Sequence, residues 1–124
     1  MAQIFVKIYT YRNCDTCRKA LKFLRARGIS FEEIPIRDTP PSQAELRAML
    51  AAHDGHIRKL FNTSGMDYKA LGLSAKLPGM SPDEAIDLLG SNGNLVKRPF
   101  AIMEDVRLVG FEEAAWNTAL IPTK

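Results

Sequence analysis

The stretch that decides the fold runs from Phe5 to Gly28 and reads FVKIYTYRNCDTCRKALKFLRARG. Its beginning, FVKIY, is rich in β-branched and aromatic residues, which predicts a strand. From Thr16 onward the apolar residues recur at helical spacing and basic residues occupy the opposite face. Gly28 follows a basic segment and predicts the end of this helix. The stretch therefore predicts a strand followed by an amphipathic helix.

The chain on either side extends this pattern. Residues 29–36 have strand character again, so the N-terminal part is predicted as strand, helix, strand, with parallel strands and a right-handed crossover. Ser42 with Glu45, and Ser81 with Glu84, have the spacing of helix capping boxes. Between them His56–Phe61 and Asp67–Leu71 read as short helical segments. The middle of the chain, from about 42 to 94, is therefore predicted as a helical insertion.

The C-terminal part predicts two strands, at 100–103 and 106–109, joined by a turn at Glu104-Asp105 into an antiparallel hairpin. A last helix is predicted over Phe111–Leu120. The predicted fold class is α/β, with a four-stranded mixed sheet and the helical insertion between a β-α-β half and a β-β-α half. We expect residues 1–124 to form a single domain.

Composition excludes several classes of protein. The 124 residues are 46% hydrophobic and 25% charged, as in ordinary globular domains, and the net charge of +3 is too small and diffuse to predict direct nucleic-acid binding. Every apolar run is shorter than the ~20 residues that cross a membrane. The N-terminus lacks the features of a signal peptide. With only two cysteines, these observations predict a reduced, cytoplasmic location and no membrane association.

The two cysteines, Cys14 and Cys17, lie at the junction of the first strand and helix, and three interpretations compete. Both could be buried small hydrophobic residues, although such a junction is usually polar and partly exposed. They could be half of a zinc site, but only His53 and His56 offer further ligands of that kind. A C-x-x-C pair beside a strand-helix-strand pattern is typical of a thioredoxin-like redox dithiol, which we favour.

The C-x-x-C spacing suits dithiol chemistry. A thiolate at Cys14 would be stabilised by the free N–H groups and the dipole of the helix start. Cys17, one helical turn later, could attack a mixed disulfide at Cys14 and release the product. Arg12, Arg18 and Lys19 either add positive charge to this site or form an ordinary solvated cluster.

A second candidate segment is Lys97-Arg98-Pro99, just before a predicted strand. A proline and exposed neighbours are ordinary at a strand start. In a thioredoxin-like fold, however, the proline before this strand faces the cysteine loop and is usually cis. Arg98 would then hold an anionic substrate or the thiolate of Cys14.

Taken together, these motifs resemble the arsenate reductase (ArsC)/Spx family of glutaredoxin-like proteins over nearly the whole chain. The stretch Leu60–Gly65 with Tyr68 is similar to an uncharacterised arsenate-reductase-related branch. The matching segments are Tyr9–Ala20, the helical insertion, Leu95–Pro99 and Arg107–Phe111.

The resemblance implies a thioredoxin-like fold in which Cys14 is the redox nucleophile and Arg98 its anion-binding partner. Arsenate-reducing members of the family build an oxyanion pocket from three arginines. Arg98 matches one, and the other two positions fall on Asn62 and Gly110. Arg98 is then the only expected cation of the pocket, so arsenate is expected to be a poor substrate.

The leading functional hypothesis is a thiol–disulfide oxidoreductase with no bound cofactor or metal, using glutathione or thioredoxin as reductant. The alternative is an Spx-type redox-sensing transcriptional regulator that binds the RNA polymerase α subunit. The expected catalytic residues are Cys14, Cys17 and Arg98, and the expected substrate- or thiol-binding residues are Arg12, Asn13, Thr16 and Pro99.

Overall fold

The computed structural model describes residues 5–103 and 106–120. Short 3₁₀ turns lie at Ile57–Leu60, Leu77–Gly79 and Gly93–Leu95. Apart from α4, the strands and helices follow the predicted order: β1 (Phe5–Thr10), α1 (Asp15–Ala26), β2 (Ser30–Pro35), α2 (Gln43–Ala52), α3 (Met66–Ala70), α4 (Leu73–Lys76), α5 (Pro82–Ser91), β3 (Phe100–Ile102), β4 (Arg107–Val109) and α6 (Glu113–Ala119).

The four strands form one mixed sheet in the order β2-β1-β3-β4. β1 runs parallel to β2 and antiparallel to β3, and β3 pairs with β4 as an antiparallel hairpin. Ile8 lies opposite Glu33 on one side and Ala101 on the other, so β1 is a central strand. The predicted mixed sheet is confirmed. The turn predicted at Glu104-Asp105 lies outside the described residues.

Helix α1 follows the predicted amphipathic pattern. Ala20, Leu21, Phe23 and Leu24 are all buried, together with Cys17 at the start of the same face. Gly28 takes a left-handed conformation with φ of 66° just after the helix, which explains why the chain turns there into β2.

Alternation along β1 separates two hydrophobic cores. Val6 and Ile8 pack on one face of the sheet against α1 and α6, where Trp116 is buried. Tyr9 belongs to the core on the other face, which the helical insertion covers. Because β1 contributes to both cores, its end, where the cysteine loop begins, is held on both faces.

The insertion is fixed to the sheet by specific contacts. Both predicted capping boxes, at Ser42 and Ser81, are present. Glu45 of α2 accepts hydrogen bonds from the Lys7 ammonium at 2.8 Å and the Tyr9 hydroxyl at 2.6 Å. Burial, followed by the hydrogen bond to Glu45, raises the pKa of Tyr9 to about 12. These contacts tie α2 to the central strand.

Some elements differ from the predictions. The hairpin strands are shorter than predicted, since β3 ends at Ile102 and β4 begins at Arg107. Helix α4 was not predicted. It is only four residues long, and it is separated from α3 by Gly72 with φ of 64°. Among the described residues, no helix is long and apolar enough to cross a membrane.

Candidate dithiol site

Cys14 is the residue that begins helix α1. It has an extended backbone, with φ of −112° and ψ of 113°, and its Sγ accepts a hydrogen bond from the backbone N–H of Cys17 at 3.2 Å. Both cysteines are free thiols. The sulfur of Cys14 therefore lies where the unpaired N–H groups of the helix start favour negative charge.

The two thiols differ in exposure. Cys14 is partly exposed, whereas only 1% of Cys17 is exposed. Burial, followed by the neighbouring Cys14 side chain, raises the pKa of Cys17 to about 12, although a backbone hydrogen bond from Tyr11 and the charge of Arg98 act in the opposite direction. At neutral pH Cys17 is therefore a protonated thiol behind an accessible Cys14. The expectation of partial exposure at this junction is wrong for Cys17, because Cys17 lies on the buried face of α1.

A cleft of about 530 Å³ opens beside Cys14. Its walls come from the start of α1, the turn after the first 3₁₀ segment, the residues before β3 and the residues after β4. The polar or charged lining residues that bear on chemistry are Thr16, Asn62, Ser64, Lys97, Arg98 and Glu112. The cleft therefore brings Cys14, Thr16 and Arg98 together.

Arg98 enters this cleft from the segment before β3. The Arg98–Pro99 peptide bond is cis, and Pro99 is buried while Arg98 is partly exposed. The guanidinium carbon of Arg98 lies 4.8 Å from the centre of the Tyr11 ring. The Pro99 carbonyl accepts a hydrogen bond from the Gly110 N–H at 2.8 Å, which joins the segments on either side of the β3–β4 hairpin.

Tyr11 is a residue that the sequence analysis did not select. The Cζ of Arg37 lies 5.0 Å from its ring centre, and the Arg37 Nη1 donates to its hydroxyl at 2.8 Å. A hydrogen bond from Asn13 and the charge of Arg37 lower the pKa of Tyr11. Tyr11 therefore contacts both Arg37 and Arg98 beside the cysteine loop.

Among the residues that the structure describes, three of the four expected binding residues do not line the Cys14 cleft. Pro99 is buried beside Arg98. Arg12 and Asn13 are exposed and do not line the Cys14 cleft, within the ranges that the structure describes. The Arg12 carbonyl accepts from Arg18 Nη2 at 2.9 Å, and Arg18 also pairs with Asp15. Of the two interpretations of Arg12 and Arg18, their exposure favours the ordinary solvated cluster.

The position of Lys97 contradicts another expectation from the sequence. The sequence predicts Arg98 as the only cation of the pocket, but Lys97 also lines the cleft. Asn62 and Gly110, the positions at which the resemblance placed two missing arginines, line the same cleft. The sequence feature that could have indicated the position of Lys97 is Gly110, directly after a strand. A residue without a side chain leaves room for the side chain of a neighbour.

The residues do not suggest a metal centre. Over residues 5–103 and 106–120, no group of three or more His, Cys, Asp or Glu side chains could hold a metal ion. His53, one of the two histidines considered for a zinc site, uses its Nδ1 to contact the Met49 carbonyl at 2.9 Å.

Two free cysteines at the start of α1, next to a cis proline before β3 of a β2-β1-β3-β4 sheet, are the arrangement of a thioredoxin-like fold. The chain belongs to the ArsC family, whose family model matches residues 9–119. The resemblance found in the sequence motifs is thereby confirmed.

Relatives with different names share this similarity. The uncharacterized protein YusI of Bacillus subtilis is 46% identical over 85% of this chain and 89% of its own length. An arsenate reductase of Rhizobium meliloti is 34% identical over 78% of this chain and 68% of its own. The global transcriptional regulator Spx of Enterococcus faecalis is 29% identical over 86% and 79%, respectively.

A solved structure confirms the fold. The crystal structure of an ArsC family related protein from Bacteroides fragilis superposes with a TM-score of 0.86 at 42% identity, covering 91% of this chain and 95% of that one. The chain is thus a member of a thiol redox family that includes both arsenate reductases and Spx regulators.

Proposed function

We propose that the chain is a thiol–disulfide oxidoreductase in which Cys14 is the nucleophile and Cys17 the resolving thiol. The observation that carries this proposal is the asymmetry of the pair. Cys14 is accessible from a polar cleft and accepts an N–H at the helix start, whereas Cys17 is buried one turn behind it with a raised pKa. Such a pair separates the attacking role from the resolving role.

The reaction proceeds in two exchanges. The Cys14 thiolate attacks one sulfur of a substrate disulfide, forms a mixed disulfide and expels the other half as a thiolate, which takes a proton from solvent. Cys17 then loses its proton to solvent and its thiolate attacks Cys14 Sγ, expelling the second half as a thiolate, which takes up a proton from solvent. The substrate has gained two electrons, and the Cys14–Cys17 disulfide holds the oxidised form. Two molecules of glutathione, or one thioredoxin dithiol, return the two electrons.

Arg98 and Thr16 complete the site in this proposal. Arg98 carries a fixed positive charge at the cleft, which suits a thiolate leaving group or a substrate carboxylate. Thr16 offers a hydroxyl on the same wall, and Pro99 fixes the backbone beside it. The proposal needs no bound cofactor, and it implies a reducing, cytoplasmic location.

Trapping of the intermediate tests the assignment. Cys17→Ser, treated with a small disulfide, should accumulate a mixed disulfide at Cys14 that intact mass spectrometry detects. Cys14→Ser should form none under the same conditions. Wild type should pass through the adduct to an internal disulfide. Adduct formation on Cys14→Ser instead would reverse the two roles.

Turnover with glutathione and glutathione reductase distinguishes two forms of the mechanism. A strong loss of turnover in Cys17→Ser supports internal resolution. Equal turnover by wild type and Cys17→Ser would mean that glutathione itself clears the adduct and that Cys17 is dispensable.

A second candidate function is an Spx-type redox regulator that binds the RNA polymerase α subunit. It is favoured by the match to relatives named Spx, which covers most of this chain, and by a dithiol that could serve as a switch. Purified α subunit should then be retained by the immobilised chain in a manner that depends on its redox state. Retention without disulfide turnover supports the regulator, and turnover without retention supports the enzyme.

A further inference from the structure

The position of Lys97 is set by its backbone and by Gly110. The Lys97 N–H donates to the Leu60 carbonyl at 2.8 Å, next to an antiparallel bridge between Phe61 and Val96. A Cβ built on Gly110 would lie 2.8 Å from Lys97 Cε, 3.7 Å from its Cδ and 3.9 Å from its Nζ. The end of the lysine side chain therefore crosses the space that a side chain at 110 would fill.

Gly110 is itself held firmly. Its φ of 72° lies in the left-handed region, where side chains other than hydrogen are disfavoured. Its N–H donates to the Pro99 carbonyl at 2.8 Å, and its carbonyl accepts from Trp116 Nε1 at 3.0 Å. The bare backbone under Lys97 is thus a fixed part of the cleft wall.

The charge balance of the cleft is positive. Lys97 and Arg98 both line it, and Glu112, which is exposed, is the acidic residue on its wall. Across the ranges 5–103 and 106–120, neither Lys97 nor Arg98 forms an ion pair, whereas Lys7, Arg18 and Arg47 do. Both cations are therefore available to a ligand that reaches Cys14.

We propose that Lys97 is a specificity-determining residue, which makes the Cys14 cleft select thiol-reactive substrates that carry a carboxylate close to the reacting sulfur. This inference rests on the proposed role of Cys14 as nucleophile. Lys97 supplies a compact point charge with three donors, in contrast to the planar fork of Arg98. The pair suits small, flexible carboxylates and favours them over neutral molecules of the same size.

The test compares two alkylating agents of similar size, anionic iodoacetate and neutral iodoacetamide. Their rates with Cys14 are measured in a Cys17→Ser background, which leaves one thiol. The iodoacetate-to-iodoacetamide ratio cancels any change in the amount of thiolate, so it reports the charge that the reagent meets. Lys97 is exposed and its charge partly screened, so Lys97→Gln should lower this ratio about three- to tenfold at low salt.

Two further variants make the result specific. Lys97→Arg keeps the positive charge and should retain most of the wild-type ratio. Lys76→Gln removes an exposed lysine that does not line the cleft and should leave the ratio unchanged. A Lys97→Gln ratio within the range of the Lys76→Gln control overturns the inference.

Failure here is distinguishable from failure of the proposed function. Alkylation requires only an accessible Cys14, whereas the trapped mixed disulfide requires exchange chemistry but not Lys97. An unchanged alkylation ratio in Lys97→Gln, together with normal trapping of the mixed disulfide, refutes only the proposed role of Lys97. A lowered ratio without any adduct supports the charge assignment and refutes the oxidoreductase.

Discussion

The guanidinium carbon of Arg98 lies 4.8 Å from the ring centre of Tyr11, which connects the segment before β3 to the loop that carries the cysteines. A guanidinium this close to a tyrosine ring gains a favourable cation–π contact. Because Tyr11 is also bound by Arg37, the ring is restrained from a third part of the chain. The Tyr11 ring therefore contacts the Arg98 guanidinium from a position that is itself held by Arg37.

This relationship predicts that Arg98 supports function more than stability. Arg98→Lys keeps the charge but loses the planar fork, so we expect an unfolding midpoint close to wild type and a roughly tenfold or greater loss of turnover. Thermal unfolding and disulfide turnover, measured together, check this. Wild-type turnover in Arg98→Ala would reduce Arg98 to a solvated surface residue.

Alkylation should reach Cys14 before Cys17. Cys14 is partly exposed at the helix start, while Cys17 is buried and its pKa is raised to about 12 by burial and by its neighbour. The measurement is limited alkylation at neutral pH, followed by fragmentation of the tryptic peptide 13–18 to locate the label. A label found first on Cys17 contradicts the assigned roles.

The rate of internal resolution should rise with pH. A raised pKa means that the reactive thiolate of Cys17 is a minor species at neutral pH, and its fraction grows about tenfold per pH unit below the pKa. A mixed disulfide at Cys14 removes any charge from that sulfur, but Cys17 stays buried. The pKa of Cys17 therefore stays above that of an ordinary thiol.

A chromophoric aromatic disulfide makes this step visible. Its first thiol is released by attack of Cys14, and its second by attack of Cys17. We expect the second phase to accelerate from about pH 6 to about pH 9 and to be absent in Cys17→Ser. A second phase independent of pH argues against a titrating Cys17.

Arsenate should be at best a poor substrate. Asn62 and Gly110 provide no charge at the two positions where the resemblance places arginines in arsenate-reducing members. The ammonium of Lys97 does not reproduce the planar hydrogen-bonding geometry of a guanidinium. One charge-assisted contact is worth roughly 1.5–3 kcal/mol, so the loss of one guanidinium and the replacement of another by the Lys97 ammonium should still weaken oxyanion binding tenfold or more. Asn62→Arg is expected to improve any residual activity. Efficient reduction by wild type at submillimolar arsenate would show that other residues complete the pocket.

Gly93 should be intolerant of even a methyl group. A Cβ there would lie 1.9 Å from the Ile36 carbonyl oxygen and 2.8 Å from its carbon, both of them backbone atoms. Gly93→Ala should therefore lower the free energy of unfolding by about 2 kcal/mol or more. Gly79→Ala is the matched control, because nothing lies within 4 Å of its added Cβ. Equal denaturation midpoints for the two variants would contradict this close contact.

Local patterns in the sequence predicted much of the fold. The change of period at Thr16 and the two capping boxes are encoded within a few residues, so β1, α1, α2 and α5 were predictable. Cys17 has helical spacing with Leu21 and Leu24, so its burial was also readable from the sequence. Polarity of the junction was the wrong guide there, because Cys17 is already within the helix.

The remaining features depend on contacts between distant segments. The position of Lys97 over Gly110 requires the segments before β3 and after β4 to meet, which no local pattern encodes. The contacts of Tyr11 are not evident from the sequence for the same reason, since its partners Arg37 and Arg98 come from separate segments. The unpredicted α4 is too short to show a helical period, and it follows a glycine that ends α3.

In the proposed mechanism Cys14 has two tasks, because the sulfur that would react is also the acceptor that begins α1. Serine, threonine, aspartate and asparagine usually occupy this position, and a thiolate can take their place only while it is unmodified. Forming a disulfide weakens that acceptor, so each catalytic cycle alternately strengthens and loosens the first turn of the helix. The amide of Cys17 is thus a built-in reporter of redox state, whose hydrogen-exchange protection follows the charge on the neighbouring sulfur.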